Sequence, residues 1–313
     1  MNSDLQDRIY KAQSFGNVEP IEFMVPYPNL FSLVEGQNVK FKNSLLFKDI
    51  QITNEDFINL VNRAASWIKI NGGKPESRIF LPTLPFPYSE IMAFGIWLLG
   101  GIIVIAEDGL FPKDSGIGIR NIIPNDIHFE SELAKMKSDF TPTFKPNLLD
   151  EALIYWEKGN GIKLSHYNLL VTTYGVQKAL NLQRGSTIKV NLQPNTPAWV
   201  VFELILPLFT GTELTDDEPD KTFGLPGQFD NSDYIIQQNW NSIEITDPPS
   251  IYLLPENGGI LSINAEPIHL TKYKLNNGKL ILNGHSVMMG YIDEEKNENC
   301  FINDSFILEY FPN

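Results

Sequence analysis

The sequence has few of the residues on which thiol and imidazole chemistry depends. It contains one cysteine, Cys300, which excludes an internal disulfide and is typical of a reducing compartment, so we expect a cytoplasmic location. The four histidines show no metal-ligand spacing. The motifs G-x-S-x-G and G-x-G-x-x-G are also missing. Zinc sites, nucleophile elbows and dinucleotide-binding turns therefore find no support in the sequence.

Long apolar runs and positive charge are also scarce. The longest apolar stretch, IMAFGIWLLGGIIVIA, is interrupted by Gly100 and Gly101, which favours a buried helix followed by a strand over a membrane span. The first fifteen residues lack the apolar core of a signal peptide. A net charge of −14 argues against nucleic acid and anionic membranes as partners. It does not exclude a nucleotide, because a small anion responds to local amides and a few cations.

Helix and strand patterns alternate through the first part of the chain. Thr53 followed by Asp56 is typical of a helix start with a capping box, and apolar residues then recur at the spacing of one helical face until Gly72. The strand-like RIFLPT, a helix over about residues 88–99 and the strand-like GIIVIA follow with short connections. This order predicts two parallel strands joined by a right-handed crossover.

The same order recurs further along the chain. A helix pattern from residue 165, a strand pattern in STIKVNL, a buried-helix pattern in TPAWVVFELILPLF and a strand pattern in TGTEL follow one another. Aligning Gly101 with Gly211 also brings the strands at Phe80 and Val190 into register. An internal duplication is the simplest interpretation.

Short strand-like segments dominate from about residue 243, and the Asn-Gly pair at 277–278 predicts a hairpin. We therefore predict an α/β fold with two duplicated α/β subdomains, each with a mainly parallel sheet flanked by helices, and a smaller antiparallel β subdomain. The predicted boundaries are 1–150 for the first α/β subdomain, 151–240 for a shortened second one and 241–313 for the antiparallel subdomain.

Five stretches, in order over nearly the whole chain, are similar to those of one known family. They are ITNEDFINLVNRAASWIKINGGKPESRIFLPT, AFGIWLLGGIIVIAEDG, GIKLSHYNLL, NWNSIE and GKLILNGHSVMMGYIDE. Together they resemble the large N-terminal domain of the adenylate-forming superfamily, which comprises acyl-CoA synthetases, adenylation domains and luciferases. The resemblance implies an enzyme that condenses a carboxylate with ATP and passes the acyl group to a thiol. The family's mobile C-terminal domain, with its catalytic lysine, would begin after Asn313, so we expect a domain without it.

The phosphate loop of the family is degenerate in this sequence. The family uses a run of Ser, Thr and Gly followed by Pro-Lys-Gly, whereas EKGNGIK occupies that place here, between a strand and a helix. Losing two or three charge-assisted hydrogen bonds of about 1.5–3 kcal/mol each would weaken triphosphate binding by several powers of ten. Lys163 is a vestigial nucleotide-binding candidate or a solvated lysine. Ser165 is a second such candidate, or simply the N-cap of the helix.

The adenine and metal motif of the family has changed as well. Glu244 stands where the family's Glu helps to hold Mg²⁺, which prefers carboxylate oxygen, or it is an exposed strand residue. Asn241 and Ser242 occupy neighbouring nucleotide positions, and a side chain at 241 would crowd the nucleotide. Trp240 lines a pocket or belongs to the core. In place of the family's ribose-binding Asp, the alignment puts residues 309–311, which are Glu, Tyr and Phe.

These losses predict a chain with weak or absent adenylation activity. We expect an apolar cleft near Asn195, Trp199, Trp240 and Tyr291 to bind an acyl or aryl group, or to dock a carrier or partner protein. The alternative is an adenylate-forming ligase with residual activity, or one completed by a separate C-terminal domain, in which case Mg-ATP is the cofactor. No catalytic residue can be assigned from the sequence, and the oligomeric state is not indicated.

Overall fold

The computed structural model describes residues 3–113, 115–240 and 242–309, and helices and strands alternate through most of this range. The helices are α1 (Ser3–Ala12), α2 (Leu30–Phe41), α3 (Asn54–Ile70), α4 (Tyr88–Leu99), α5 (Phe129–Ala134), α6 (His166–Leu180), α7 (Pro197–Trp199), α8 (Leu206–Thr210) and α9 (Glu294–Cys300). A π-helical segment (Val200–Ile205) joins α7 to α8, and a short 3₁₀ helix covers Pro255–Asn257. Asn241, a nucleotide candidate, lies outside the described residues, as do Tyr310 and Phe311.

The strands are short and fall into three sheets. They are β1 (Leu45–Phe47), β2 (Ile52–Thr53), β3 (Arg78–Phe80), β4 (Ile102–Ala106), β5 (Asn121–Ile122), β6 (Glu151–Glu157), β7 (Asn160–Ser165), β8 (Thr187–Val190), β9 (Glu213–Leu214), β10 (Lys221–Gly224), β11 (Tyr234–Gln237), β12 (Ser250–Leu254), β13 (Gly259–Ile263), β14 (Glu266–Pro267), β15 (Thr271–Asn276), β16 (Lys279–Gly284), β17 (Phe301–Ile302) and β18 (Ser305–Glu309).

The first helix pair forms where the local sequence predicts it. The Thr53 hydroxyl accepts the amide of Asp56 at 3.1 Å, and the Asp56 carboxylate accepts the amide of Thr53 at 3.1 Å, so the predicted capping box is confirmed. Helix α4 is buried along nearly its whole length, as its uniform apolarity indicates. Helix α4 packs closely on α3 at Gly95. A Cβ at this position would stand 2.8 Å from the Cβ of Ala64, so glycine permits the close approach.

The first sheet has the order β5-β3-β4-β6-β7, in which β3 pairs in parallel with β4 and β5, β6 is parallel to β4, and β7 is antiparallel to β6. The parallel pairing of β3 and β4 around α4 confirms the predicted crossover. The second sheet has the order β14-β13-β12-β11-β10-β8-β9-β1-β2, with a parallel centre from β12 to β1 and antiparallel strands at both ends.

The third sheet, β15-β16-β18-β17, is antiparallel. Asn277 and Gly278 have φ of +49° and +73°, as a type I′ turn requires, and confirm the predicted hairpin. Together the three sheets confirm the predicted α/β class with an antiparallel addition. Strands β6 and β7 complete the first sheet and β12 and β13 extend the second, so the sheets do not end at residues 150 and 240; the subdomain boundaries stay a prediction. None of the helices within the described residues combines the length and apolarity needed to cross a bilayer.

Candidate functional site

The segment at the place of the phosphate loop is a closed β-hairpin. Strands β6 and β7 pair up to Glu157 opposite Asn160, and only Lys158 and Gly159 form the turn. Their φ angles of +49° and +79° are those of a type I′ turn, which a glycine at the second position accommodates. The expectation of a strand, an open glycine loop and a helix was therefore wrong, because residues 160–165 form a strand.

The outer edge of this hairpin is covered by the segment at residues 289–292. The amide of Lys163 donates to the carbonyl of Gly290 at 3.0 Å, and the amide of Ile292 donates to the carbonyl of Gly161 at 2.7 Å. A Cβ at Gly161 would lie 2.6 Å from Cγ1 of Ile292, so the two segments are in close contact. A phosphate cannot accept a hydrogen bond from the amide of Lys163 unless residues 289–292 move away.

The two vestigial candidates of this region have other partners. Side chains alternate along a strand, so Lys163 lies on the opposite face of β7 from its neighbour Ile162. It is partly buried near the Arg78–Glu151 ion pair, whose N–O distance is 2.8 Å, and burial lowers its pKa although Glu151 opposes this. Ser165 is buried, and its hydroxyl accepts the amide of Asn168 at 3.0 Å, which confirms it as the N-cap of α6.

A cleft of about 750 Å³ lies between the β6–β7 hairpin, the α7 region and the ends of β12 and β18. Asn195, Trp240 and Tyr291, three of the four predicted pocket residues, line it. Asn195 Nδ2 donates to the carbonyl of Glu107 at 2.6 Å, which fixes the loop after β8 against the first sheet. Trp240 is partly buried and packs on the core, so both interpretations of it apply.

The fourth predicted pocket residue, Trp199, lies elsewhere. It is fully buried, lines a second, smaller cavity and donates its Nε1–H to Oε1 of Glu90 at 3.2 Å. Glu244, the metal candidate, is exposed outside any strand, and Ser242 donates to its Oε1 at 2.7 Å. The amide of Glu244 donates to the hydroxyl of Tyr252 at 2.9 Å. The structure therefore does not bring Ser242 and Glu244 to the wall of the cleft.

Four glutamates line the cleft, and sequence reasoning had singled out only one of their positions, at the end of β18. They are Glu107, Glu157, Glu256 and Glu309. Two lysines oppose them: Lys158 pairs with Glu157 at 2.7 Å, and the ammonium of Lys296 stands 3.9 Å from the centre of the Tyr291 ring. The cleft is therefore acidic around an apolar wall.

The most buried of these carboxyls is that of Glu256. It is 7% exposed and accepts a hydrogen bond from the hydroxyl of Tyr291 at 2.8 Å. Burial raises the pKa of Glu256, and the bond from Tyr291 opposes this rise. Burial and the Glu256 charge raise the pKa of Tyr291. No local pattern marks Glu256, because its burial depends on a residue 35 positions away.

These residues do not fit Mg-ATP. The amide of Lys163 is engaged by the covering segment, the strands are paired up to the two-residue turn, and the excess of carboxylates in the cleft repels phosphate oxygens. Within residues 3–113, 115–240 and 242–309, no three or more His, Cys, Asp or Glu side chains are grouped as a metal site requires. No step through a nucleotide is therefore derived for this cleft.

No family model and no curated protein matches this sequence. Solved structures do match. An inhibitor-bound N-terminal domain of FACL13 from Mycobacterium tuberculosis has a TM-score of 0.73 at 12% identity, over 90% of this chain and 95% of that one. The N-terminal subdomain of NpsA from Klebsiella oxytoca, in complex with anthranilyl-AMSN, has a TM-score of 0.72 at 14% identity, over 90% and 95%. A benzoate CoA ligase from Burkholderia xenovorans has 0.72 at 14%, over 89% and 76%. The chain has the fold of the N-terminal domains of acyl-CoA ligases and adenylation domains.

Proposed function

We propose that this protein binds an acyl or aryl group in the cleft without activating it with ATP. The observation that supports this most is the type I′ turn at Lys158 and Gly159, where a hairpin stands in place of an open phosphate loop and the edge amide of Lys163 is already bonded to Gly290. Binding of an acyl or aryl group, without the contacts that hold a triphosphate, is the function that fits this arrangement best. The proposal includes a cytoplasmic location, for which the single cysteine is the argument.

The charge of the cleft favours a particular kind of ligand. Four glutamates against two lysines repel a triphosphate or a free carboxylate, and two like charges 4 Å apart at an effective dielectric constant of 20 repel by about 4 kcal/mol. A neutral acyl or aryl group, such as an amide or an ester, does not meet this repulsion. A carrier or partner protein that presents such a group would be accepted for the same reason.

Apolar side chains supply the attraction. Ile162, Leu192, Leu225, Trp240 and Leu253 line the cleft, whose volume of about 750 Å³ is typical of small-molecule sites. Removing about 100 Å² of apolar ligand surface from water contributes about 2.5 kcal/mol. Such burial corresponds to a gain of about sixtyfold in affinity, so the cleft favours a ligand with a ring or a short alkyl chain over a fully polar one.

The solved neighbours support binding by a domain of this extent. The NpsA N-terminal subdomain and the FACL13 N-terminal domain each have a bound ligand in their structures, and this chain covers 95% of both. An N-terminal fold of this kind therefore retains ligands without further domains in those two proteins. We extend this property, but not their ligands, to the present cleft.

The experiment compares neutral and anionic probes of matched shape. Isothermal titration with benzamide and decanamide should give binding that benzoate and decanoate lack. Trp240→Ala should weaken amide binding about tenfold or more, because it removes an aromatic wall, whereas Tyr10→Ala, at an exposed helix position, should leave it unchanged. Equal affinity for amides and carboxylates would contradict the proposed role of the glutamates.

The alternative is an adenylate-forming ligase with residual activity, or one completed by a separate C-terminal domain. This alternative is favoured by the structural similarity to an N-terminal domain of FACL13, which covers 90% of this chain and 95% of that one. Pyrophosphate exchange with Mg-ATP and a carboxylate panel, with and without an added C-terminal domain from a related ligase, measures it directly. Exchange above background, together with a higher melting temperature in Mg-ATP, would replace the non-catalytic proposal by this one.

A further inference from the structure

A second cavity of about 320 Å³ lies at the carboxyl ends of β1, β8 and β9, under the start of α4. Its walls are about half apolar, and the apolar part includes Phe47, Leu84, Phe86, Val190 and Leu214. The carboxyl ends of parallel strands are the usual place for ligands in α/β folds, and the volume lies at the lower end of small-molecule sites. Leu192 and Gln193 line both this cavity and the main cleft, so the two are neighbours.

One carboxylate oxygen in this cavity has no partner. Glu90 is 4% exposed, and its Oε1 accepts the Nε1–H of Trp199 at 3.2 Å. Its Oε2 is buried and has no hydrogen-bond partner among the described residues. A buried carboxylate oxygen without a donor is costly and rare, because desolvation is not offset. We infer that a bound ligand could supply a hydrogen-bond donor to Glu90 Oε2.

A second carboxylate faces the same cavity. Glu203, from the π-helical segment, accepts the amide of Leu192 at 2.6 Å. Burial raises the pKa of Glu203, the hydrogen bond from Leu192 opposes this rise, and the nearby Glu90 adds to it. Asp49 and Asp216 at the rim are already engaged. Asp49 accepts the hydroxyl of Thr215 at 2.5 Å and the amide of Asp216 at 2.6 Å, and Asp216 lies 3.3 Å from the ammonium of Lys189. No lysine or arginine is among the described residues that line this cavity, so Glu90 and Glu203 inside it have no fixed cation there.

We propose that this second cavity binds a small organic amine, whose ammonium group donates to Glu90 and Glu203 and whose apolar body packs against Phe47 and Phe86. An ammonium supplies the donor that Glu90 Oε2 lacks. Its positive charge would also favour the ionised forms of Glu90 and Glu203, which burial alone disfavours. The aromatic walls favour a cation with an apolar body. A bare metal ion fits less well, because the described residues offer no group of three or more metal ligands. The proposal is independent of what the main cleft binds.

The test uses the full chain and phenethylamine as the probe, with phenethyl alcohol and hydrocinnamate as probes of matched shape without the positive charge. Titration calorimetry at neutral pH should detect the amine with an affinity at least tenfold above that of either control probe. Glu90→Gln and Glu203→Gln should each weaken amine binding roughly ten- to hundredfold, the range expected for one charged hydrogen bond. Glutamine has nearly the same shape and can still accept the Trp199 hydrogen bond, so the fold of Glu90→Gln should persist.

Two matched variants locate the site. Glu256→Gln, in the main cleft, and Glu266→Gln, at an exposed position, should leave amine binding unchanged. Equal binding of amine and alcohol to the unmodified protein would overturn the proposal, and this comparison needs no variant to fold. Weakening by Glu256→Gln but not by Glu90→Gln would also overturn it, because the amine would then lie in the main cleft.

Discussion

Replacing Glu90 by glutamine should remove part of the dependence of stability on pH. Burial raises the pKa of Glu90 from 4.5 to about 7 in the folded protein, and the hydrogen bond from Trp199 opposes the rise without cancelling it. Below pH 4.5 the folded and unfolded chains both keep the proton on this carboxyl. As the pH rises towards 7, the unfolded chain releases the proton while the folded chain retains it, so the free energy of unfolding falls.

The size of the effect follows from the two pKa values. Each pH unit between them corresponds to about 1.36 kcal/mol, so the rise from 4.5 to about 7 removes about 3 kcal/mol of stability between acidic and alkaline pH. Glu90 is 4% exposed, so solvent screening reduces this figure little. In Glu90→Gln the position carries no proton equilibrium. The difference in unfolding free energy, variant minus unmodified protein, should therefore increase by about 3 kcal/mol from pH 4 to pH 8.

Urea unfolding followed by tryptophan fluorescence, at several pH values between 4 and 8, measures this difference. Comparing two chains at each pH cancels the titrating groups that are not coupled to Glu90. Glu203 is coupled to it, because the charge of Glu90 adds to the rise that burial causes in the pKa of Glu203. Glu266→Gln, at an exposed strand position, serves as the control and should show a flat difference. A flat difference for Glu90→Gln as well would mean that Glu90 ionises as it does in water, and the burial argument would be refuted.

Three further variants address the hairpin, the cleft and a helix start. Tyr291→Phe removes the hydrogen bond to buried Glu256, and urea unfolding should give a loss of about 2 kcal/mol. Gly161→Ala puts a Cβ 2.6 Å from Cγ1 of Ile292, and the melting temperature should fall by the equivalent of about 1–3 kcal/mol. Thr53→Ala removes the N-cap of α3 and should cost about 1 kcal/mol by urea unfolding.

Each of these has a matched control. Tyr10→Phe removes an exposed hydrogen bond to Glu19 and should change stability by less than about 0.5 kcal/mol. Ile292→Ala combined with Gly161→Ala should be more stable than the two single changes add up to, since it relieves the contact. Thr53→Ser should keep the cap. Additive behaviour of the pair, or equal losses for Ser and Ala, would contradict the corresponding structural reason.

Local signals predicted the elements that depend on near neighbours in the chain. The capping box at Thr53, the N-cap at Ser165 and the hairpin at residues 277–278 each depend on at most four residues, and all three form as predicted. The buried helix α4 was predicted for a similar reason, because its apolarity all round requires cover on every side. The formation of such elements depends on residues close in the sequence and not on contacts with distant segments.

The residues of the cavities could not be predicted in this way. Glu90 meets Trp199, 109 positions away, and Glu256 meets Tyr291, 35 positions away. A glutamate in a helix or a turn is exposed in most proteins, so neither Glu90 nor Glu256 could be singled out from local sequence patterns. Trp199 was predicted to lie near the main cleft, but it lines the second cavity, although its neighbours Pro197 and Ala198 line the main cleft. Side-chain direction at such a position depends on the tertiary packing.

The hairpin at residues 151–165 determines which backbone groups are available at this end of the cleft. A loop binds phosphate through amides that have no other acceptor, whereas a two-residue turn leaves the strands paired up to Glu157 and Asn160. The covering segment then uses the amide of Lys163 and the carbonyl of Gly161. The short turn therefore leaves the amide of Lys163 bonded within the first sheet, where phosphate recognition would need it free. A longer turn alone would not release this donor, so introducing a phosphate site here would require a longer turn and removal of the covering segment together.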